Sequence, residues 1–167
     1  RGQREMGVKM SLFKLVDLVN TILMKIAGIG FLFIIGITCA DILFRIIWKP
    51  VFGAVELVMY TNAICVAFAL GATQLKKGHI AVDILVNSFS KQSKKVVEFI
   101  NTVSCIFFFG LVSWQIIKYA TNLLKTGEVS ETLKLPYYFF VYANALGCIT
   151  LALVFITDLI KIFKKEG

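Results

Sequence analysis

Charged residues are scarce in this chain, and four long runs contain none. Lys, Arg, Asp and Glu make up 17% of the 167 residues, while 58% are hydrophobic and only two are proline. Such a composition leaves too little polar surface for a water-soluble globule of this size. The runs without charge cover residues 26–40, 57–75, 99–117 and 135–157.

The residues on which many enzymes and metal sites depend are also few. His79 is the only histidine, which excludes a haem held by two histidines of this chain and weakens any Ser-His or Cys-His nucleophile. The four cysteines lie one in each uncharged run, without metal-ligand spacing, and we interpret them as small buried apolar residues. We therefore predict no enzymatic activity, no cofactor and no metal.

The lengths of the uncharged runs match the hydrocarbon core of a bilayer. A helix needs about 20 apolar residues to cross it, and apolar residues on both sides extend the shorter first run. The sequence predicts an all-α integral membrane protein with spans at about 26–46, 55–75, 97–117 and 135–157. Residues 11–167 then form one domain. We interpret the polar residues 1–10 as a native end or an expression remnant.

The basic residues predict an orientation. Thirteen of the 18 Lys and Arg residues lie before the first span, between the second and third, or after the last. The positive-inside rule places both termini and the middle loop in the cytoplasm. On that side we expect Lys91, Lys94 and Lys95 to contact anionic lipids. We do not expect a nucleic-acid partner.

Two amphipathic segments are predicted on the same side. Residues 11–25 carry apolar side chains at helical spacing, and this helix either lies on the membrane surface or merges into span one. Val82, Leu85, Val86 and Phe89 form the apolar face of the second.

Polar and small residues at the spans indicate structural roles. Asp41 and Arg45, four residues apart on one helical face, lie at the outer end of span one, and Glu56 opens span two at the same interface. We predict that the three form a charge cluster that holds the first hairpin. No acidic residue lies in the middle of a span, which disfavours an ion-coupled carrier acting alone. Small residues spaced four apart allow close helix contact, within the chain or with a partner. They are Ala63, Ala67 and Gly71 in span two and Ala143 and Gly147 in span four.

Several short motifs occur in the order found in one transporter family. Glu56 opens the second span, a Gly-His-Ile-Ala-Val-Asp segment follows from Gly78 and His79 to Asp83, and the segment 127–136 leads to span four. This pattern resembles the small membrane subunit, of the DctQ type, of tripartite ATP-independent periplasmic (TRAP) transporters.

The resemblance implies a non-catalytic scaffold in a bacterial inner membrane. Its implied partners are a large multi-span membrane subunit and a periplasmic substrate-binding protein, which together import an organic acid of the C4-dicarboxylate or N-acetylneuraminate type with a sodium gradient. Glu128 and Glu131, in the outer loop predicted at 118–134, are candidates for docking the binding protein.

Two other kinds of membrane protein fit the sequence less well. An autonomous four-span exporter acting as a homodimer would need an acidic residue deep in the first span, where residues 26–40 carry no charge. A quinone or haem anchor of a respiratory complex is disfavoured by the single histidine.

The predicted orientation is testable by thiol labelling. In variants with one cysteine, a position near Lys94 should react only with reagent on the cytoplasmic side, and a position near Glu128 only with reagent added from outside. The opposite labelling pattern would reverse the assigned orientation.

Overall fold

Four helices account for nearly all of the described chain. The computed structural model describes the backbone of residues 2–75 and 91–164 and the side chains of residues 14–75 and 96–160. The helices are α1 (Gly2–Ile47), α2 (Ala54–Leu75), α3 (Lys91–Thr126) and α4 (Tyr138–Lys164). Each contains a stretch long and apolar enough to cross a membrane, which confirms the predicted all-α, four-span class.

The helices do not end where the uncharged runs end. The amphipathic segment 11–25 is part of α1, so of its two predicted arrangements the structure shows the one that merges with span one. Helix α3 continues to Thr126, and the first half of the loop predicted at 118–134 is therefore helical. The apolar run ends at residue 117, but the Lys and Asn residues that follow it are compatible with a helix. The end of the apolar run therefore did not mark the end of α3. The second amphipathic segment, with Gly78, His79 and Asp83, lies outside the described residues.

Helices α2 and α4 form the centre of the arrangement. Helix α2 packs against α1 and α4, and α4 packs against α2 and α3, with a smaller contact between α1 and α4. Buried residues make up 33% of the α4 span window and 28% of the α2 window, against 6% in α1 and 11% in α3. The flanking helices α1 and α3 thus leave most of their apolar surface to lipid or to another protein.

The two central helices run parallel to each other. Tyr60 stacks on Phe140 near their starts, and the Gln74 side-chain amide donates to Asp158 Oδ2 over 3.2 Å near their ends. The connections 48–53 and 127–137 therefore lie together at one end, which we call the loop end. The start of α1 and the end of α4 lie at the other, the terminal end.

Helices α2 and α4 approach each other closely at two of the predicted small residues. A Cβ atom on Gly147 would lie 2.7 Å from the carbonyl carbon of Ala67 and 2.8 Å from its carbonyl oxygen. Ala143 is half-buried and packs against the cluster that includes Cys65 and Phe68. Ala63, in contrast, is exposed.

Gly71 is needed for a different contact, one that the sequence did not indicate. A Cβ atom there would collide with the Oδ1 atom of Asn20. Asn20 is 1% exposed, and its side-chain amide donates to the Val16 carbonyl over 2.8 Å. Its position among the apolar residues of α1 was the signal available in the sequence. Gly71 thus allows a polar side chain of α1, rather than a helix backbone, to approach α2.

Two glycine substitutions distinguish this packing from general helix propensity. Gly147→Ala should destabilise the chain by about 1–3 kcal/mol, because the added methyl group meets the Ala67 backbone and forces the helices apart. Gly110→Ala is the matched control, since a Cβ there meets nothing within 4 Å, and it should be neutral or stabilise by up to about 1 kcal/mol. Unfolding in mild detergent measures both. Equal effects of the two substitutions would contradict the close contact.

Candidate functional site at the loop end

The Glu56 carboxylate binds the backbone of the loop between α3 and α4. Oε1 accepts a hydrogen bond from Thr132 N over 2.7 Å, and Oε2 accepts one from Leu133 N over 3.0 Å. Glu56 lies in the first turn of α2, where the helix dipole also favours a negative charge. One side chain of the first hairpin, α1–α2, therefore holds the connection of the second, α3–α4.

The bound loop is itself closed by a short turn. Ser130 N donates to the Leu135 carbonyl over 2.9 Å, and Leu135 N donates to Ser130 Oγ over 3.3 Å. Ser130 is 3% exposed, although it lies in a loop. Lys134 adopts the left-handed conformation, with φ of 54°, which is uncommon for a residue other than glycine. The turn presents the amides of Thr132 and Leu133 side by side to Glu56.

A glycine lets the two connections meet. Gly53 has φ of 76°, a conformation that favours glycine. A Cβ atom at this position would collide with the side chain of Leu133. Glycine is thus required at position 53 for two reasons, the backbone conformation and the space that Leu133 occupies. The contact between Gly53 and Leu133 lies one helical turn from Glu56. We call Gly53, Glu56, Ser130 and Leu133 the loop clasp.

Aromatic side chains at the starts of α2 and α4 stack on one another next to the clasp. The Tyr60 ring stacks on Tyr137, with centroids 5.9 Å apart, and on Phe140, with centroids 5.1 Å apart. The Tyr137 hydroxyl donates to Glu128 Oε2 over 3.0 Å. Hydrogen bonding with Tyr119, burial and the Glu128 carboxylate raise the pKa of Tyr137. Glu128 is therefore bound within the chain, since Thr126 Oγ1 also donates to it over 3.2 Å.

The other two residues of the predicted charge cluster lie at the connection between α1 and α2. Asp41 Oδ2 and Arg45 Nη2 are 2.8 Å apart, and Asp41 Oδ1 accepts a hydrogen bond from Val51 N over 2.8 Å. The structure thus brings Asp41 and Arg45 together, while Glu56 binds the opposite connection. Spacing within one helix predicted the first pair. The bond between Glu56 and the loop joins residues 76 positions apart, and no sequence spacing indicates such a contact.

This arrangement is suited to holding a surface in place. The polar groups of the clasp are bound to the backbone, and the side chains of Val129, Glu131 and Lys134 are exposed around it. Among the described residues, no three His, Cys, Asp or Glu side chains are grouped to hold a metal ion. The loop end therefore presents a structured surface of polar and apolar side chains beyond the spans.

Four apolar helices with structured connections at one end define a multi-pass membrane protein. A comparison with protein families matches residues 34–165 to the description "Tripartite ATP-independent periplasmic transporters, DctQ component". The chain belongs to this family and is a small membrane subunit of a TRAP transporter, as the sequence motifs indicated. Comparisons with curated proteins and with solved structures found no match.

Replacing Glu56 tests the clasp. In Glu56→Gln, an NH2 group replaces one of the two carboxylate oxygens that accept hydrogen bonds from the loop, so one backbone N–H loses its acceptor. We expect the free energy of unfolding to fall by about 1.5–3 kcal/mol and proteolysis within 127–137 to become faster. Glu131→Gln changes the same charge in the same region at an exposed position, and it should alter stability by less than about 0.5 kcal/mol. Detergent unfolding and limited proteolysis compare the two. A Glu56→Gln protein as stable as Glu131→Gln would contradict the clasp.

Proposed function

We propose that this chain is the scaffold subunit of a TRAP transporter that imports an organic acid driven by a sodium gradient. A large membrane subunit moves the substrate, and a periplasmic protein binds the substrate and delivers it. The scaffold fixes the position of the large subunit in the membrane and presents the loop end on the periplasmic side. The observation that carries this proposal is the family match over residues 34–165, and the absence of charged residues from the middle of the spans supports it.

The distribution of charge supports a role without substrate binding. Residues 57–75, 99–117 and 135–157 contain no charged side chain. Carriers coupled to ions generally place ionisable or cation-binding groups near the middle of the bilayer. In α1, Asp41 is bound to Arg45 and to the Val51 amide. An organic acid and its sodium ions would therefore have to be bound by another chain.

The packing supports the same conclusion. A cavity of about 100 Å³ lies near the terminal end, between α1 and α4. Pockets that enclose small-molecule ligands are commonly about 300–1,000 Å³. No cationic side chain that could bind a carboxylate lines this cavity, whose lining residues are Leu15, Val16, Val19, Asn20, Thr150 and Leu153.

The loop clasp supports a role in docking the binding protein. It fixes residues 130–135 against α2, so the exposed side chains beside it have defined positions. Both predicted docking residues are exposed. Glu128 accepts hydrogen bonds from Tyr137 and Thr126, whereas no hydrogen bond to the Glu131 side chain is found among the described residues. We infer that Glu131 carries more of the contact, as a rim charge that increases the association rate.

Reconstitution tests the proposed function. Proteoliposomes that contain both membrane subunits should take up the organic acid only with the binding protein and an inward sodium gradient. Vesicles with this chain alone should show no uptake above protein-free vesicles, because its spans lack a coupling site. Uptake by this chain alone, or sodium-independent uptake by the complete system, would overturn the proposal.

A further inference from the structure

Charged side chains mark the depth at which each flanking helix crosses the membrane. In α1, Lys25 and Arg45 are 20 residues apart, or about 30 Å along the helix axis. Asp41 is the only charged residue between them, and it is paired with Arg45. In α3, Glu98 and Lys118 are also 20 residues apart, with no charge between them. Each distance matches a hydrocarbon core of about 30 Å, so each pair marks the two membrane boundaries of its helix.

The two tryptophans of the chain lie at the loop-end boundaries. Trp48 follows Arg45 by three residues and is 81% exposed. Trp114 is 59% exposed, and the Lys118 ammonium lies over its ring, 4.9 Å from the centroid. Tryptophan is enriched where the hydrocarbon core meets the headgroups. Both flanking helices thus pass this boundary at a tryptophan with a cation near it.

The packing of α1 on α2 raises the α1 boundary above the central helices. A Cβ atom on Gly30 would collide with Cys65 Sγ and lie 3.5 Å from Thr61 Cγ2, so Gly30 is level with this part of α2. From that level toward the loop end, Arg45 is 15 residues away along α1, and Glu56 is nine residues from Cys65 along α2. At 1.5 Å per residue, Arg45 stands about 9 Å beyond Glu56.

The packing of α3 on α4 lowers the α3 boundary. The Phe109 ring stacks on Phe155, and Thr121 Oγ1 lies 3.1 Å from the Tyr142 hydroxyl. Counted from either contact, Lys118 falls short of the start of α4 by about 6–12 Å, a range that allows for the lean of side chains toward the N-termini of their helices. Since α2 and α4 start side by side, the loop-end boundaries of α1 and α3 differ in height by about 15–21 Å.

The boundaries at the terminal end are displaced in the same direction. Lys25 lies five residues from Gly30, which leaves it about 7 Å inside the end of α2. Glu98 lies 11 residues from Phe109, which places it about 6–12 Å beyond Asp158 of α4. Both boundaries of α1 are thus shifted toward the loop end and both boundaries of α3 toward the terminal end. One misplaced charge does not produce an offset at both faces.

We propose that the bundle lies obliquely in the bilayer, so that the headgroups of one leaflet contact both the Trp48 end of α1 and the Trp114–Lys118 pair of α3. Helices α1 and α3 pack mainly on different members of the central pair. Packed helices are about 8–10 Å apart, so α1 and α3 are separated by at most about 30 Å. A height difference of about 15 Å across that distance requires a tilt of at least about 25°, within the range of known spans.

The shortest helix is long enough for this tilt. Helix α2 has 22 residues, and at 25° it still covers about 30 Å of bilayer thickness. The apolar stretches of α1 and α3, with 34 and 31 residues, exceed the length that an upright span needs. Tilting is one way in which long spans adapt to a bilayer.

The tilt accounts for the exposed apolar end of α1. Ile46, Ile47 and Trp48 are 77–81% exposed and stand beyond the start of α2, where an upright bundle would leave them in water. In the oblique bundle they meet the lipid boundary. On the other flank, residues 118–126 of α3 rise about 11 Å out of the lipid, which leaves Glu128 in the water phase.

Two positions at one height in the bundle allow a direct test. Phe33 of α1, three residues beyond Gly30, and Ile117 of α3 are level to within about one helical turn. Both are exposed, by 52% and 36%. Phe33 is nevertheless near the middle of its span, eight residues from Lys25, whereas Ile117 is next to Lys118. An upright bundle gives the two positions equal depth, and the oblique bundle does not.

Tryptophan quenching by brominated lipids measures these depths. Phe33→Trp and Ile117→Trp are each introduced into the full chain carrying Trp48→Phe and Trp114→Phe, and each protein is reconstituted in phosphatidylcholine vesicles brominated at defined acyl positions. The deepest bromines should quench the probe of Phe33→Trp most strongly, and the shallowest that of Ile117→Trp, with the first probe about 9 Å nearer the bilayer centre. Equal depths, or the reverse order, would overturn the tilt.

A charge substitution tests whether Lys118 sets the α3 boundary. Lys118→Leu leaves no charge on α3 before Lys125, so the probe of Ile117→Trp should move at least about 3 Å toward the bilayer centre. Lys118→Arg keeps the charge and should leave the depth unchanged. No movement in Lys118→Leu, or an equal movement in Lys118→Arg, would overturn the role assigned to Lys118. None of these measurements requires the large subunit, so their failure would not bear on the proposed function.

Discussion

The close approach of α2 and α4 at Ala67 and Gly147 is the constraint on which the arrangement of the other helices depends. Helices α1 and α3 make their main contacts with α2 and α4 respectively, so the positions of both flanks follow from the distance between the central pair. In lipid there is little hydrophobic gain from bringing two helices together, and close van der Waals packing takes its place. A backbone separation set by glycine is therefore more important here than in a soluble bundle.

The loop clasp adds a second, polar constraint outside the apolar spans. Glu56 binds two successive amides of the other hairpin, and hydrogen bonds to a charged group are generally stronger than those between neutral groups. The clasp and the central contact lie at different heights on the same pair of helices. Two separated contacts fix both the distance and the relative rotation of the hairpins, which is the property that a scaffold requires.

Sequence patterns predicted the elements better than their connections. The uncharged runs predicted four helices, because the thickness of the bilayer imposes a length. The motifs between residues 56 and 136 indicated the family that the comparison confirmed. Spacing within α1 placed Asp41 near Arg45. The partner of Glu56 could not be predicted, since backbone amides carry no sequence signature. Asn20 was missed because a single polar residue on an apolar face does not reveal which glycine it meets.

The proposed scaffold role requires that this chain keep its internal geometry while the large subunit moves. The most direct measurement is the distance between spin labels on Val66 of α2 and Phe107 of α3, both exposed and away from the clasp. In the reconstituted complex, the distance distribution should be the same without substrate and with sodium and the loaded binding protein. A shift of the distribution during transport would show that α2 and α3 move relative to each other, and it would contradict a rigid scaffold.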